Sequence, residues 1–384
     1  MRNISALFYK YINYPAYMTV GLVLVISSCA IKPKSDIDTP EYHYKAGMRQ
    51  IEAHQYSDAK TSFQRSVDLD KKFAPGYGGL GLANAHLGNT RDAKKLANKA
   101  EEMAERNPDI FTLCARVWIT LRNDDKKWYK KAERLLKKAL KRKKDHEGAL
   151  YHTGEMHLYE YEFSDAEDHF RQVIGMKGEY SGRADRKWQL SQKIVRAMPG
   201  TPQGKKVALY ERITRADLAA LLAEELKISE LMERRSATSG GFQTPEEMQT
   251  AGTDAGRPSD SKGHWAEVWI NEITRYGIME GGPGQPFYPD EPVNRAEYAM
   301  AIQRLLVLVT GDTGLETRYF GENPSRFSDV PSSHPAYNAM AICTERGIMQ
   351  ANVVTGHFDA VGPVSGADAL ISIRTFQNAL RMTF

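Results

Sequence analysis

A spacing of 34 residues recurs along the first half of the chain and constrains its fold more than any other feature. Each regular copy places a glycine twelve positions before an alanine, and a further core-type residue follows four positions later. The members of these copies are Gly47, Ala59 and Phe63; Gly81, Ala93 and Ala97; and Gly154, Ala166 and Phe170. Two amphipathic helices pack closely where one contributes a small residue, and one such pair cannot bury its own apolar face. The spacing therefore predicts stacked helix pairs.

The third copy departs from the pattern, because Ala115 precedes Ala132 by 17 residues instead of twelve. We therefore expect a turn about five residues longer in this copy, around 122–127. Four copies fit residues 41–177, and residues 183–197 are typical of a helix that caps the end of a stack. A helical bundle without repeats is the alternative, and the recurring offsets argue against it.

Repeats of this length, with Tyr56 or Phe163 three residues before the alanine, resemble the tetratricopeptide repeat. The resemblance implies an α-solenoid over residues 41–200, and a concave surface that binds a peptide or helix of a partner protein. No peptide clamp can be identified residue by residue, so the partner stays unknown.

The N-terminus indicates the compartment. Arg2 and Lys10 precede an apolar run at 18–26, which is shorter than the roughly 20 residues of a membrane-spanning helix and typical of a signal peptide. The segment that ends at Cys29 resembles the lipobox of bacterial lipoproteins, which implies removal of residues 1–28 and lipidation of Cys29. Acyl chains contribute about 0.8 kcal/mol of membrane affinity per buried methylene. An ordinary signal peptide with an incidental cysteine is the alternative.

The residue after the lipobox cysteine and the two remaining cysteines refine this prediction. Ala30, in place of an aspartate, implies sorting to the outer membrane by analogy with lipoproteins in general, with the protein facing the periplasm and 29–40 as a linker.

Cys114 and Cys343 lie on apolar helical stripes of different predicted domains. We therefore expect two buried free thiols and no disulfide framework.

After Pro202 the 34-residue spacing stops and a second self-similarity of about 70 residues begins. The matching strings are His264-Trp265-Ala266 with His334-Pro335-Ala336, Gly277-Ile278-Met279 with Gly347-Ile348-Met349, and Pro292-Val293-Asn294-Arg295-Ala296-Glu297 with Pro363-Val364-Ser365-Gly366-Ala367-Asp368. An earlier half-copy is Ile213-Thr214-Arg215-Ala216-Asp217, and Phe327-Ser328-Asp329-Val330-Pro331 opens the last copy.

Taken together, these strings resemble the S-layer homology domain over about residues 207–384. The resemblance implies a helical bundle with short irregular loops, in which three modules surround a pseudo-threefold axis. The predicted parts are a partial first module (201–235), a flexible linker (236–262), a second module (263–310) and a degenerate third module (311–384). The fold class expected for the whole chain is all-α.

The second helix of each module begins with a capping-box pattern, in which a small polar residue precedes an acid by three positions. The pairs are Thr214 with Asp217, Asn294 with Glu297, and Ser365 with Asp368. Arg215 and Arg295 stand in the first turn, where a cation opposes the helix dipole. We expect an acidic partner for each arginine, either the intramolecular Asp217 or Glu297 or a carboxylate of a ligand, which suits the guanidinium fork.

In S-layer homology domains the equivalent arginines line grooves that bind anionic cell-wall polymer or peptidoglycan. The resemblance therefore implies these candidate ligand residues: Arg215, Arg295, Trp265, Gly281 and Gly282. The tryptophan would stack on a sugar, or else lie in the helix core, and the glycines would let the backbone approach the ligand. Gly366 and Pro335 replace the arginine and the tryptophan in the third module, which puts a functional groove there in doubt.

A run of cations at helical spacing marks the third repeat. Its members are Lys127, Lys130, Lys131, Arg134, Lys137, Lys138 and Lys141. The stripe indicates a solvated outer face, or a contact with anionic lipid headgroups, an acidic glycan or an acidic partner. The net charge of the whole chain is +4, which does not favour a nucleic-acid partner.

No motif for catalysis is present. Residues 76–81 match G-x-G-x-x-G, but they lie where the first helix of a repeat belongs, with no preceding strand. His152 and His157 are five residues apart, which does not suit a zinc pair on one helical face. We interpret Asp165, Glu167 and Asp168 as solvated. The sequence therefore predicts a protein that is not an enzyme, with no cofactor and no metal.

Three hypotheses follow for function. The favoured one is a tether, held in a membrane by lipid at Cys29, bound to wall polymer by the C-terminal modules, and attached to a protein partner by the repeats. The second is a docking lipoprotein for a pilus, secretion or polysaccharide-export machine, in which the C-terminal modules are purely structural. The third is an envelope hydrolase, which would need a groove with paired carboxylates.

Overall fold

The computed structural model describes residues 33, 35–239, 257–282 and 284–381. These residues form sixteen α-helices and contain no β-strand, so the all-α prediction is confirmed for them. The predicted signal peptide, Cys29 and part of the predicted linker lie outside the described residues. No described helix combines the length and the apolar character needed to cross a membrane. The chain divides into two compact units, Met1–His152 and Thr153–Phe384.

The first unit contains three helix pairs whose members pack against each other. They are α1 (Pro40–Glu52) with α2 (Tyr56–Leu69), α3 (Ala74–His86) with α4 (Thr90–Glu102), and α5 (Pro108–Thr120) with α6 (Trp128–Arg142). Thr39 and Asn107 cap α1 and α5, and each is followed by a proline at the first helical position, where a missing N–H costs nothing. A 3-10 helix at Leu121–Asn123 lengthens the turn before α6, as the spacing predicts.

Glycines of the first helices in the first two pairs mark places where helices touch. A Cβ atom added to Gly47 would lie 2.6 Å from the Phe63 ring, and one added to Gly79 would also collide with that ring. Phe63 is fully buried, so it fills the gap between its own helix pair and the next pair. Residues 76–81 lie inside the buried helix α3, which agrees with the rejection of a nucleotide-binding loop. The predicted array of helix pairs is confirmed at the level of packing.

The second unit continues from the middle of α7 (Glu147–Tyr159). Its further helices are α8 (Phe163–Met176), α9 (Ser181–Ala197), α10 (Pro202–Val207), α11 (Arg215–Leu226), α12 (Ile228–Ser239), α13 (Glu267–Arg275), α14 (Arg295–Thr310), α15 (Tyr337–Glu345) and α16 (Gly366–Arg381). The division between the units falls well before residue 200, where we place the end of the repeats. The physical reason is that α9 packs against α16 as well as against α8.

A ring of backbone hydrogen bonds brings three helix starts together. Ile213 N donates to Val364 O (3.0 Å), Val364 N donates to Val293 O (3.4 Å), and Val293 N donates to Ile213 O (3.0 Å). All three side chains are buried. The helices α11, α14 and α16 each begin two residues after their member of the ring. The ring therefore lies on a pseudo-threefold axis that relates the starts of α11, α14 and α16.

Candidate functional site

The helix starts around this axis carry the predicted capping boxes. Thr214 and Asp217 exchange side-chain and backbone hydrogen bonds at α11, and Asn294 and Glu297 do the same at α14. At α16, Asp368 N donates to Ser365 Oγ, and this hydroxyl donates to the carboxylate of the same aspartate (2.6 Å). The carboxylates of Asp217 and Glu297 thus accept backbone N–H groups at their helix starts, whereas the carboxylate of Asp368 accepts the hydroxyl of Ser365.

Arg215 contacts backbone carbonyls of the second module. Its Nε donates to Phe287 O (2.7 Å) and its Nη2 donates to Glu280 O (2.8 Å). The guanidinium carbon lies 4.7 Å from the centre of the Phe287 ring, within the range of a cation–π contact. The expectation that Asp217 is the intramolecular partner is therefore wrong, because carbonyl dipoles and an aromatic face offset the cation.

Arg295 repeats this geometry one module further on. Its Nε donates to Phe358 O (2.8 Å), its Nη2 donates to Gln350 O (2.7 Å), and its guanidinium carbon lies 4.7 Å from the Phe358 ring centre. Glu297 stays in its capping box, so it too was wrongly expected as a partner. Both arginines are half-buried and hold the start of a second helix to the loop of the following module.

Gly366 stands at the position equivalent to Arg215 and Arg295, and packing explains why this residue is a glycine. Gly366 N donates to Tyr210 O (2.9 Å), and a Cβ atom at Gly366 would overlap the carbonyl oxygen of Val207. Val207 precedes Ile213 by six residues, which is also the separation between Phe287 and Val293. The end of α10 and the residues after it thus lie so close to the start of α16 that no side chain fits at residue 366.

Aspartates fix the two loops that receive the arginines. The carboxylate of Asp260 accepts the N–H groups of Phe287 and Tyr288 (both 2.7 Å), and Asp329 accepts those of Phe358 (2.8 Å) and Asp359 (2.7 Å). Burial raises the pKa of Asp329, but these backbone N–H groups outweigh it, so the pKa of Asp329 is lowered. The loop segments that supply the Phe287 and Phe358 carbonyls to the arginines are therefore held in place.

The predicted aromatic and glycine residues have separate environments. Trp265 is 51% exposed, which excludes the helix-core alternative, and its ring contacts Trp269 edge-on at 5.7 Å. Gly281 has a φ of +130° and packs against Phe287, so the fold itself requires this glycine. Nothing lies within 4 Å of a Cβ atom at Gly282, which leaves that backbone approachable.

An open groove of about 540 Å³ lies beside Arg295. It is lined by α9, by the start of α14, by the segment 347–350 after α15, and by one face of α16 with the residues before it. Its cationic residues are Lys193, Arg196, Arg295 and Arg374. Among the described residues that line it, the one acid is Asp368, whose carboxylate accepts a hydrogen bond from Lys193 Nζ (2.9 Å). Positive charge is thus in excess, and Trp265, Gly281 and Gly282 are not among the lining residues.

The surroundings of Arg215 have a different charge balance. The Glu280 carboxylate accepts a hydrogen bond from Arg304 (2.6 Å), and this contact, helped by the charge of Arg215, lowers the pKa of Glu280. The residue equivalent to Glu280 beside Arg295 is the neutral Gln350. Around Arg215, two cations (Arg215 and Arg304) therefore lie near one acid, whereas four cations and one acid line the groove beside Arg295.

The residues that sequence reasoning missed are Lys193, Arg196 and Arg374. The first two lie on α9, which the 34-residue spacing assigns to the repeats, and nothing local connects them with Arg295. Their separation of three positions places them on one face of a helix. That spacing was the available signal, but it does not show what the face meets.

Some cations of the predicted basic stripe on α6 contact other residues of the protein, and others are exposed. Arg134 donates two hydrogen bonds to Glu101 of α4 (2.5 and 2.6 Å), and Lys138 donates a third (2.8 Å). These bonds outweigh burial and lower the pKa of Glu101 to about 2. Lys137 pairs with Glu133 (2.7 Å), and Lys131 lies 5.6 Å from the Trp118 ring centre. The remaining members of the stripe, Lys127, Lys130 and Lys141, are exposed.

Few groups in the described residues suit metal binding or nucleophilic chemistry. His157, Glu162 and Asp165 can each offer one ligand atom within 4.8 Å of the others. The sequence prediction missed this group because it considered only the spacing of His152 and His157. Cys114 and Cys343 are free and buried, as predicted, and burial raises the pKa of each thiol to about 12. Such thiols are unreactive at neutral pH.

The model of the S-layer homology domain family matches residues 259–299 and 326–370. The C-terminal part of the chain therefore contains S-layer homology domains, which are binding and anchoring modules and imply association with the cell envelope. The first matched segment begins before our predicted boundary at 263 and includes the loop-fixing Asp260. No curated protein matches the chain.

Proposed function

We propose that the protein is a non-enzymatic cell-envelope tether whose S-layer homology region binds an anionic cell-wall polymer in the groove beside Arg295. The observation that carries this proposal is the charge of that groove, where four cations face one acid that is already paired. A cleft lined by one sign of charge attracts a polyion of the opposite sign and concentrates it locally. Arginine forks suit the carboxylate and phosphate groups of such polymers.

The other ends of the tether are proposed from the sequence. Lipid on Cys29 would hold the protein at a membrane, with outer-membrane sorting and a periplasmic orientation implied by Ala30. The helix pairs over residues 41–177 would bind a protein partner, as the resemblance to tetratricopeptide repeats implies. Their regular stacking supports this part of the proposal, since such arrays present extended surfaces to peptides and helices.

Sedimentation with purified wall fragments tests the polymer-binding part. We expect the full chain, kept soluble with detergent, to sediment with the fragments at low salt and to be released at about 0.5 M salt, where exposed charges are screened. Arg295→Gln should weaken binding about tenfold. Arg212→Gln is the matched control, because Arg212 is exposed and lies outside the groove. Failure of the wild-type chain to sediment would contradict the proposal.

A docking lipoprotein with a purely structural C-terminal region is the second candidate. The observation that favours it is the internal use of both arginines, each of which binds two carbonyls of its own protein. Under this hypothesis Arg295→Gln lowers stability but leaves sedimentation unchanged. Circular dichroism and thermal unfolding of each variant, measured beside the sedimentation assay, separate the two candidates.

A further inference from the structure

We infer that α9 takes the place of a missing first helix in the S-layer homology bundle, and that its Lys193 and Arg196 form part of the polymer-binding groove. The second half of this inference rests on the proposed function. Neither the predicted repeat boundary nor the match to the domain family, which begins at residue 259, assigns α9 to the bundle.

The first support is the packing of helices around the pseudo-threefold axis. In the matched modules, α13 packs against α11 and α15 packs against α14. The remaining helix of the axis, α16, packs against α9. Because the backbone ring makes α11, α14 and α16 equivalent, α9 occupies the position that α13 and α15 occupy elsewhere. The short α10 contacts α11 and α16 but does not fill this position.

The second support is the number of residues between the end of each first helix and the backbone ring. Each first helix is followed by a methionine at nearly the same distance from the backbone ring. The pairs are Met198 with Ile213 and Met349 with Val364, both 15 residues apart, and Met279 with Val293, 14 residues apart. Met198 also meets α16, because Arg374 Nη2 lies 3.9 Å from its sulfur. The methionine after α9 thus stands at nearly the same register as the methionines that follow the other two first helices.

The third support is what α9 adds at this position. In the other modules the helix stops at Arg275 or Glu345, and a glycine with positive φ follows two residues later, at Gly277 or Gly347. By register the residue equivalent to Gly347 is Arg196, because each precedes its ring residue by 17 positions. The helix α9 continues through this position to Ala197. The longer helix therefore presents a cation where the other modules have a chain turn.

The charges on α9 complete the groove. Lys193 reaches Asp368 across the groove (2.9 Å) and neutralises it, which leaves Arg196, Arg295 and Arg374 for an outside anion. No carboxylate in the described residues pairs with Arg196, which is exposed. The groove beside α13, in contrast, has three acids in its lining, Glu224, Glu230 and Glu272, and one cation, Lys227, which pairs with Glu230 (3.0 Å). The ligand class that fits the α9 groove is a glycan with repeated carboxylate or phosphate groups.

Charge reversal on α9 tests the inference in the full chain. We expect Arg196→Glu to weaken sedimentation with wall fragments at least tenfold, and Arg196→Lys to retain most of the binding. Arg186→Glu is the matched control, because Arg186 is exposed on the same helix and lies outside the groove. It should change binding less than twofold. Wall fragments stripped of acidic polymer with hydrofluoric acid should bind no variant.

The possible outcomes separate the role of α9 in binding from the proposed function of the whole protein. If Arg196→Glu binds like the wild type while Arg295→Gln is weakened, the role of α9 in binding is wrong and the proposed function stands. If the wild type itself does not bind, the proposed function fails, and this part of the inference fails with it. Equal weakening by Arg186→Glu and Arg196→Glu would show a general effect of net charge and would also overturn the role of Arg196.

Discussion

At the scale of single residues, two glycines of the C-terminal unit have contrasting surroundings. A Cβ atom at Gly366 would overlap the Val207 carbonyl oxygen, which belongs to the backbone and cannot rotate away. A Cβ atom at Gly282 would meet nothing within 4 Å. Gly366 stands where the other two modules have an arginine, and the close approach of α10 to α16 requires a glycine there. It does not indicate a degenerate copy.

This contrast predicts the effect of adding one methyl group. Gly366→Ala should lower the free energy of unfolding by about 2 to 4 kcal/mol, because overpacking against backbone forces the helix start to move. Gly282→Ala should change it by less than about 0.5 kcal/mol. Urea unfolding followed by circular dichroism measures both. Equal stability of the two variants would mean that α10 and α16 do not approach each other as described.

At the scale of elements, one carboxylate joins two helices of the first unit. Glu101 on α4 accepts hydrogen bonds from Arg134 and Lys138 on α6, and its side chain is 17% exposed. Its pKa is lowered to about 2 from the ordinary 4.5. A depressed pKa in the folded state contributes stability above the ordinary pKa, and this contribution is lost as the pH falls through the depressed value.

Glu101→Gln should therefore destabilise the protein more at neutral pH than in acid. We expect a loss of about 1 to 3 kcal/mol in the free energy of unfolding at pH 7, and less than about half of that at pH 3. The neighbouring Glu102→Gln is the matched control, because Glu102 is exposed. Its effect should stay below about 0.5 kcal/mol at both pH values. A pH-independent effect of Glu101→Gln would argue against the ion pairs with α6.

The packing and the starts of single helices could be predicted from the sequence, whereas contacts between distant elements could not. The spacing of Gly47, Ala59 and Phe63 predicted helix packing because small residues at fixed offsets act locally. The capping boxes were predicted for the same reason. The partners of Arg215 and Arg295 were not predictable, since the carbonyls that they contact lie 55 to 72 residues away along the chain. Because backbone carbonyls and not acidic side chains contact these arginines, no acidic residue at a fixed spacing marks their partners in the sequence.

At the scale of the whole molecule, the repeats and the S-layer homology region share α9. A helix that packs against α8 on one side and α16 on the other belongs to both stacks. We place the boundary at residue 200 because the 34-residue spacing stops there, and this spacing carries no information about the packing of α9 against α16. The two regions therefore cannot be separated at residue 200 without exposing an apolar helix face.

This sharing predicts how fragments of the chain fold. A fragment of residues 178–384 keeps α9 and should unfold in one cooperative transition, with a midpoint close to that of the C-terminal unit in the full chain. A fragment of residues 201–384 leaves the face of α16 that carries the half-buried Ile371 and Thr375 without its partner helix. Uncovered apolar surface costs about 25 cal/mol per Å², so we expect a midpoint lower by several degrees, binding of a hydrophobic dye, and faster hydrogen exchange in α16. Equal midpoints and equal exchange in the two fragments would show that α9 is dispensable to the bundle, and the place assigned to it around the axis would then be wrong.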